Sequence, residues 1–225
     1  MKRLLILLLS VWSFSTQASP ALPGDIIADL NALQSQLQEG ALSGVIERAT
    51  AQAERLASGN QSDQWASALY QQLAAGALAR QEQPAAAADR LAIARGLSGV
   101  DDDQATSWLR EEASLRRAAG QRDQAIELLT EWLANQQDSN VVWQLTRLLA
   151  QQERWEEAAN RLEQALSETA ELTEAQQALT LAIYRNAGQS EQALGWLLDG
   201  LDSQSDLTDW RQAAGLAQQA GQSGV

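Results

Sequence analysis

Apolar residues recur along most of this chain at the three- and four-residue spacing of an amphipathic helix. Leu129 and Leu133 lie four residues apart, and so do Leu162 and Leu166, which places each pair on one helix face. The alternating apolar pattern of β-strands is absent. Alanine, leucine, glutamine and glutamate dominate the composition, and all four favour helix. The sequence therefore predicts an all-α protein.

The first residues follow a different pattern. Two cations, Lys2 and Arg3, precede an apolar run from Leu4 to Phe14, and small residues follow around Ala18. This order is typical of a secretory signal peptide. The run is shorter than the roughly 20 apolar residues that a membrane-spanning helix needs. We expect residues 1–18 to be a signal peptide, cleaved near Ala18, and the rest to be exported to the periplasm without direct membrane insertion.

Three segments that begin at Leu115, Leu148 and Ile183 align without gaps and indicate an internal repeat. A small residue opens the second helix of each segment, at positions spaced 33 and 35 residues apart: Ala125, Ala158 and Ala193. Turn positions recur at spacings of 33, 35 and 33 residues: Gly120, Glu153, Gly188 and Gly221. Glycine can end a helix in a left-handed conformation at no steric cost. The pattern predicts one helix hairpin, repeated about every 34 residues.

Over residues 105–225 this pattern resembles the tetratricopeptide repeat (TPR) family. Tyr184 and Trp210 stand where that family has its tyrosine and tryptophan. The sequence departs from the family pattern at two leucine positions, which hold Glu112 and Thr180, and at one turn glycine, which is Glu153. In addition, no repeat ends in proline. The resemblance implies a right-handed α-solenoid of antiparallel helix hairpins.

Upstream of residue 105 the hairpins persist but the period weakens. Residues 19–104 are therefore interpreted as degenerate hairpins, and 19–225 as one TPR-like domain of about eleven helices. Pro84 is predicted in the first turn of a helix, where its missing N–H costs nothing. The last repeat is interpreted as incomplete, because only its first helix, Asp209 to Ala220, is evident. This helix is expected either to cap the solenoid or to belong to a repeat that a longer chain would complete, and the cap is the preferred interpretation.

The composition limits which catalytic and metal-binding side chains are present. The sequence contains no histidine or cysteine, and lysine only at Lys2. These absences remove the usual metal ligands, imidazole bases and thiol nucleophiles. We therefore predict a non-enzyme with no metal site and no cofactor. The acidic pairs Glu111–Glu112 and Glu156–Glu157 are interpreted as solvated helix faces, and the acids at 101–103 as a helix N-cap.

Without the signal peptide, 14 arginines stand against 29 acidic residues, a formal net charge of −15. Such a charge disfavours non-specific binding to nucleic acid and to anionic membranes. Four tryptophans at repeat positions are expected in the core: Trp132, Trp155, Trp196 and Trp210.

In the TPR family the first helices line a groove that receives a peptide or helix. The resemblance places seven residues on or near this groove: Arg110, Arg117, Trp143, Arg147, Arg185, Asn186 and Arg211. Arginine binds carboxylates through two parallel hydrogen bonds. The predicted ligand is a protein partner's acidic segment or chain terminus. The alternative is that these arginines pair with nearby acids or only solvate the surface.

We therefore predict a non-catalytic protein-interaction scaffold or adaptor of the bacterial cell envelope. Two other functions stay open. One is a periplasmic chaperone for exported clients. The other, less favoured, is a helical accessory of a cell-wall lytic enzyme, since the repeats leave no room for a catalytic domain.

Overall fold

The computed structural model describes residues 20–200 and 207–221, and every regular element in these residues is an α-helix. The helices are α1 (Gly24–Glu39), α2 (Leu42–Leu56), α3 (Gln61–Arg80), α4 (Pro84–Arg95), α5 (Asp102–Ala118), α6 (Arg122–Asn135), α7 (Ser139–Gln151), α8 (Trp155–Ser167), α9 (Glu174–Asn186), α10 (Ser190–Gly200) and α11 (Leu207–Gln219). The all-α prediction and the expected number of helices are both confirmed for this part of the chain.

The predicted signal peptide, residues 1–18, lies outside the described residues, so its cleavage near Ala18 stays a prediction. Leu201, which stands in the third repeat where Leu133 and Leu166 stand in the first two, also lies outside them. Within the described ranges, no helix is both long enough and apolar enough to cross a membrane.

The chain divides into two compact units. The first, Met1–Gly120, contains α1 to α5, and the second, Gln121–Val225, contains α6 to α11. The boundary falls at the repeat turn of Gly120. The interpretation of 19–225 as one domain stays a prediction.

Turns with one residue at positive φ follow alternate helices in both units. The residues are Gly40, Glu82, Gly120, Glu153, Gly188 and Gly221. At four of these turns the N–H of the next residue donates to the carbonyl five positions earlier, at 2.9 to 3.0 Å: Ala41, Gln83, Arg154 and Gln189. This bond satisfies a carbonyl that the end of the helix leaves free. The repeat turn therefore extends into the degenerate region, where the sequence pattern missed Glu82.

The predicted repeat positions on the second helices are buried. The three alanines that open these helices, Ala125, Ala158 and Ala193, are each 0% exposed. Leucines four positions later, Leu129 and Leu162, are also buried. Their burial agrees with the packing role predicted from the repeat, since a methyl side chain lets a neighbouring helix approach closely.

One helix in each unit is buried around most of its circumference, α3 in the first and α7 in the second. A helix in such a position must satisfy its polar side chains internally. The hydroxyl of Ser67 donates to the carbonyl of Ala53 at 2.8 Å, and that of Thr146 to the carbonyl of Val142 at 2.9 Å.

Several predictions about single side chains are corrected. Trp132 is buried and Trp155 and Trp196 are half-buried, but Trp210 is 42% exposed, so its predicted core position is wrong.

The acidic pair on α5 is not a solvated face either. Glu112 is 3% exposed and accepts a hydrogen bond from Arg95 Nε at 2.8 Å. Glu111 is half-buried, and burial raises the pKa of its carboxyl. By contrast Glu156 and Glu157 are exposed, as predicted. Asp101 caps α5 by accepting a hydrogen bond from the Gln104 N–H at 2.8 Å, which confirms the predicted N-cap.

Candidate protein-binding site

A shallow depression of about 270 Å³ opens between α7 and α9 in the second unit. These are the first helices of consecutive hairpins, the elements predicted to line a groove. The depression is lined by Asn140, Trp143, Gln144, Arg147, Thr173 and Gln176. Two residues of the predicted set, Trp143 and Arg147, thus come together in one concave surface.

The α7 wall carries three exposed polar side chains on one face, Asn140, Gln144 and Arg147. Their spacing of four and three residues puts them in a row along the helix. The row begins at the helix start, where the Asp138 carboxylate accepts a hydrogen bond from the Asn140 N–H at 2.8 Å. The wall therefore offers two carboxamides and one guanidinium to a ligand.

The α9 wall is the first turn of that helix. The Thr173 hydroxyl accepts a hydrogen bond from the Gln176 N–H at 3.3 Å, and the Thr173 N–H donates to Gln176 Oε1 at 2.9 Å. This reciprocal capping box fixes both side chains. The amino end of a helix carries partial positive charge, so this wall adds to the positive potential of Arg147.

Arg147 is exposed and forms no ion pair with any described residue. Arg154, three residues beyond the end of α7, behaves differently: its Nε and Nη2 each donate to the Glu157 carboxylate at 2.7 Å. This contact raises the pKa of Arg154 and lowers that of Glu157. The guanidinium of Arg147 is therefore available for a ligand, whereas that of Arg154 is engaged within the chain.

Trp143 contributes little surface to the depression because it is only 6% exposed. Its indole Nε1–H donates to Thr169 Oγ1 at 3.0 Å, and that hydroxyl donates to the Ala165 carbonyl at 2.8 Å. The sequence pattern had suggested Trp143 as a groove-lining contact. The structure instead places its ring beneath the surface.

The other predicted site residues are exposed but lie outside the depression. Arg185 and Asn186 are at the carboxyl end of α9, and Arg211 is on α11. The Asn186 amide donates to the carbonyl of Ala182 in its own helix at 2.7 Å. Arg110 and Arg117 are on α5 in the first unit. Their part in binding stays a prediction.

Four lining residues are not among those predicted from the sequence: Asn140, Gln144, Thr173 and Gln176. Two signals could have identified them. Asn140 and Gln144 precede Arg147 by seven and three residues, which places all three on one helix face. Thr173 and Gln176 carry the Thr-x-x-Gln spacing of a capping box, which marks the start of a helix.

No protein-family profile matches the sequence, and no curated protein matches it. Solved structures do match its fold. A tetratricopeptide repeat protein from Parabacteroides merdae aligns with 88% of this chain and 75% of its own, at TM-score 0.55 and 13% identity. TPR-like repeats described as those of a kinesin light chain from Podosopora anserina align with 89% of this chain and 98% of theirs, at TM-score 0.52 and 19% identity. The chain has a TPR-like fold. This confirms the fold class predicted from the repeat.

In this TPR-like fold, the depression between α7 and α9 offers a ligand the carboxamide donors of Asn140 and Gln144 and one cation, the guanidinium of Arg147. None of its lining side chains is a carboxylate, an imidazole or a thiol. Within the described ranges no group of three or more acidic side chains is placed to hold a metal ion. The surface is suited to holding an anionic or carbonyl-rich ligand in place.

Proposed function

We propose that this protein is a non-catalytic interaction scaffold of the bacterial cell envelope, and that it binds an extended acidic segment or chain terminus of a partner in the depression between α7 and α9. The TPR-like fold supports the general role, since such folds are generally protein-interaction modules. The observation that carries the proposal is the guanidinium of Arg147, which lies in a concave, otherwise neutral surface and forms no ion pair with any described residue.

The chemistry of Arg147 favours an acidic partner. A guanidinium can donate two parallel hydrogen bonds to a carboxylate, and such charge-assisted bonds are stronger than neutral ones. The chain is strongly acidic overall, so most of its surface repels an acidic ligand. Arg147, which forms no ion pair with any described residue, attracts such a ligand at the depression.

The length of the α7 row fits an extended chain. Asn140 and Arg147 are seven residues apart, which is roughly 10 Å along a helix. Three residues of extended peptide span roughly the same distance. The carboxamides of Asn140 and Gln144 would then meet backbone groups of the ligand while Arg147 holds its carboxylate.

Fluorescence anisotropy with a labelled peptide of four glutamates and a free carboxyl terminus tests this binding mode. Arg147→Glu should weaken binding by about tenfold or more, because it removes a charge-assisted contact and adds repulsion. Arg122→Glu is the matched control: Arg122 is exposed and unpaired among described residues, it opens α6, and its reversal changes the net charge equally. Equal losses in the two variants would show a general charge effect and contradict the proposal.

Arg185→Glu extends the test along the predicted arginine row. A loss of affinity there would extend the contact surface along α9, whereas an unchanged affinity would confine it to the depression. An amidated peptide of four glutamines should bind the wild-type chain more weakly than the acidic peptide. If it binds equally well, the ligand is not recognised by its charge, and promiscuous client binding, as in a chaperone, gains support.

The location is tested separately. Expression of the full chain in a Gram-negative host, followed by osmotic-shock fractionation and sequencing of the amino terminus, should yield a periplasmic protein that begins near Ser19. A chain that stays in the cytoplasm with residues 1–18 intact would contradict the envelope assignment. The binding proposal would be unaffected by that result, because the peptide assay tests it separately.

A further inference from the structure

Trp143 is the residue of the depression whose role is least evident from its position. It is an aromatic residue on a first helix, yet its ring is 6% exposed and offers a ligand almost no surface. Its only polar atom, Nε1, is occupied by Thr169. A direct contact with a ligand therefore accounts poorly for this tryptophan.

The partner of Trp143 lies at an informative place in the chain. Thr169 is two residues beyond the end of α8, and the residues between it and Thr173 connect α8 to α9. The Thr169 hydroxyl is fixed on one side by donation to the Ala165 carbonyl and on the other by acceptance from the indole. Trp143 thus ties this short connection to the middle of α7.

The same connection determines where α9 begins. Thr173 and Gln176 form the capping box four to seven residues after Thr169, and Gln177 adds a side-chain hydrogen bond to the Leu172 carbonyl at 3.3 Å. Both capping residues line the depression. A shift of the connection would therefore move one wall of the depression relative to the α7 row.

We propose that Trp143 is a positioning residue: through its hydrogen bond to Thr169 it holds the start of α9 against α7, and so keeps the depression in its binding shape. This inference rests on the proposed function, since it assigns Trp143 a role in that same site. The contacts with the ligand are made by the α7 row, and Trp143 acts on them indirectly.

Two substitutions remove the hydrogen bond from opposite ends. Trp143→Phe keeps an aromatic ring but loses the donor, and Thr169→Val keeps the shape of the side chain but loses the acceptor. Each should weaken binding of the tetraglutamate peptide by about three- to tenfold, which is the loss expected for one neutral hydrogen bond. Thr169→Val also removes the hydrogen bond to the Ala165 carbonyl, so the double variant should bind like Thr169→Val alone, because Trp143→Phe has no indole–hydroxyl bond left to remove. Thr169→Ser retains the hydroxyl and should bind like the wild type.

Hydrogen exchange on the free chain reports on positioning without any ligand. Amides in residues 170–177 should exchange faster in Trp143→Phe and Thr169→Val, and at the wild-type rate in Thr169→Ser. Trp132→Phe is the matched control, because Trp132 is a similarly buried tryptophan on α6. It should leave exchange in residues 170–177 and peptide affinity unchanged.

Two results would overturn the inference. One is unchanged exchange in residues 170–177 in both single variants. The other is faster exchange with unaltered peptide affinity, which would make the hydrogen bond purely structural. A wild-type chain that fails to bind the peptide would instead overturn the proposed function, and the exchange data would still decide whether Trp143 holds α9.

Discussion

Arginine side chains are used differently in the two compact units. In the first unit most of them are bound within the fold: Arg48 pairs with Asp29, Arg80 donates to the Leu37 carbonyl, Arg90 donates to Gln71, and Arg95 and Arg116 both contact Glu112. In the second unit Arg154 forms ion pairs with Asp123 and Glu157, but Arg147, Arg185 and Arg211 pair with no described residue.

The difference shows why counting arginines along a predicted groove is a weak guide to binding. A guanidinium that is already hydrogen-bonded to the fold cannot be offered to a ligand without losing those bonds. In the first unit most arginines stabilise contacts between helices, whereas in the second unit Arg147, Arg185 and Arg211 pair with no described residue.

The largest expected effect is at Glu112. This carboxylate is buried between Arg95, at 2.8 Å, and Arg116, at 3.4 Å, and Arg116 also contacts Asp89 at 2.8 Å. Glu112→Ala leaves two arginines without their shared partner, so we expect the free energy of unfolding to fall by about 3 kcal/mol. Urea denaturation followed by circular dichroism measures the change.

Arg154→Ala in the second unit is the control for Glu112→Ala. It removes an exposed ion pair with Glu157, and such pairs contribute about 1 kcal/mol or less. If both variants lose the same stability, the proposed difference between the units is wrong.

A somewhat smaller effect is expected at Gly99, in the connection between α4 and α5. A methyl group there would lie 2.5 Å from the Gln61 carbonyl oxygen and 2.6 Å from the Trp65 nitrogen, so the backbone would have to move. We expect Gly99→Ala to cost about 2 kcal/mol, since overpacked sites typically lose this much. Thermal unfolding checks it.

The matched variant is Gly44→Ala in α2, where a methyl group meets nothing within 4 Å. It should raise stability slightly, because alanine is the better helix former by about 1 kcal/mol. Equal destabilisation by both alanines would mean that the α4–α5 connection is not packed closely against α3.

The smallest effect is expected at Glu111 and depends on pH. Burial raises the pKa of this carboxyl above its value in the unfolded chain, so the native state binds its proton more tightly. The contribution of Glu111 to the free energy of unfolding is therefore most favourable at low pH. It falls as pH rises from the pKa of the unfolded chain to the higher pKa of the folded chain. Glu111→Gln should stabilise the protein near pH 7, by about 1 kcal/mol, and have little effect near pH 4.

Glu157→Gln is the opposite control for this prediction. The hydrogen bond from Arg154 lowers the pKa of Glu157, so this carboxylate favours the fold at higher pH and loses that effect as pH falls. Thermal unfolding of both variants across this pH range measures the two trends. If they have the same sign, the assignment of a buried carboxyl at Glu111 is wrong.

The repeat could be predicted from sequence because its physical requirements fall on single residues. A methyl side chain is needed where two helices approach closely, as at Ala125, Ala158 and Ala193, and these are 0% exposed. Turn position 153 was included although it holds glutamate, and the structure gives Glu153 a φ of 57°. Position 82 was missed because it too carries glutamate, at a φ of 60°, and lies outside the regular period.

Part of the candidate site could also be predicted. The TPR resemblance placed Arg147 on or near a groove, and in the structure its side chain is exposed and lines the depression between α7 and α9. Helical phase puts it on one face with Asn140 and Gln144, since phase depends only on local geometry. Helical phase could not show that Trp143, four residues before Arg147, is covered by the α8–α9 connection. That depends on the position of Thr169, 26 residues further along the chain. For the same reason it could not show that Trp210 is exposed on the final helix.

The sequence by itself determined the helices, their turns, the repeat and the fold class, because these follow from spacing, side-chain size and helix propensity over a few residues. The tertiary structure decided which charges are free. Glu112 occupies a leucine position yet is buried between two arginines, while Arg147, in a strongly acidic protein, forms no ion pair with any described residue. Ion pairs join residues from different helices, so their partners are fixed only when those helices pack.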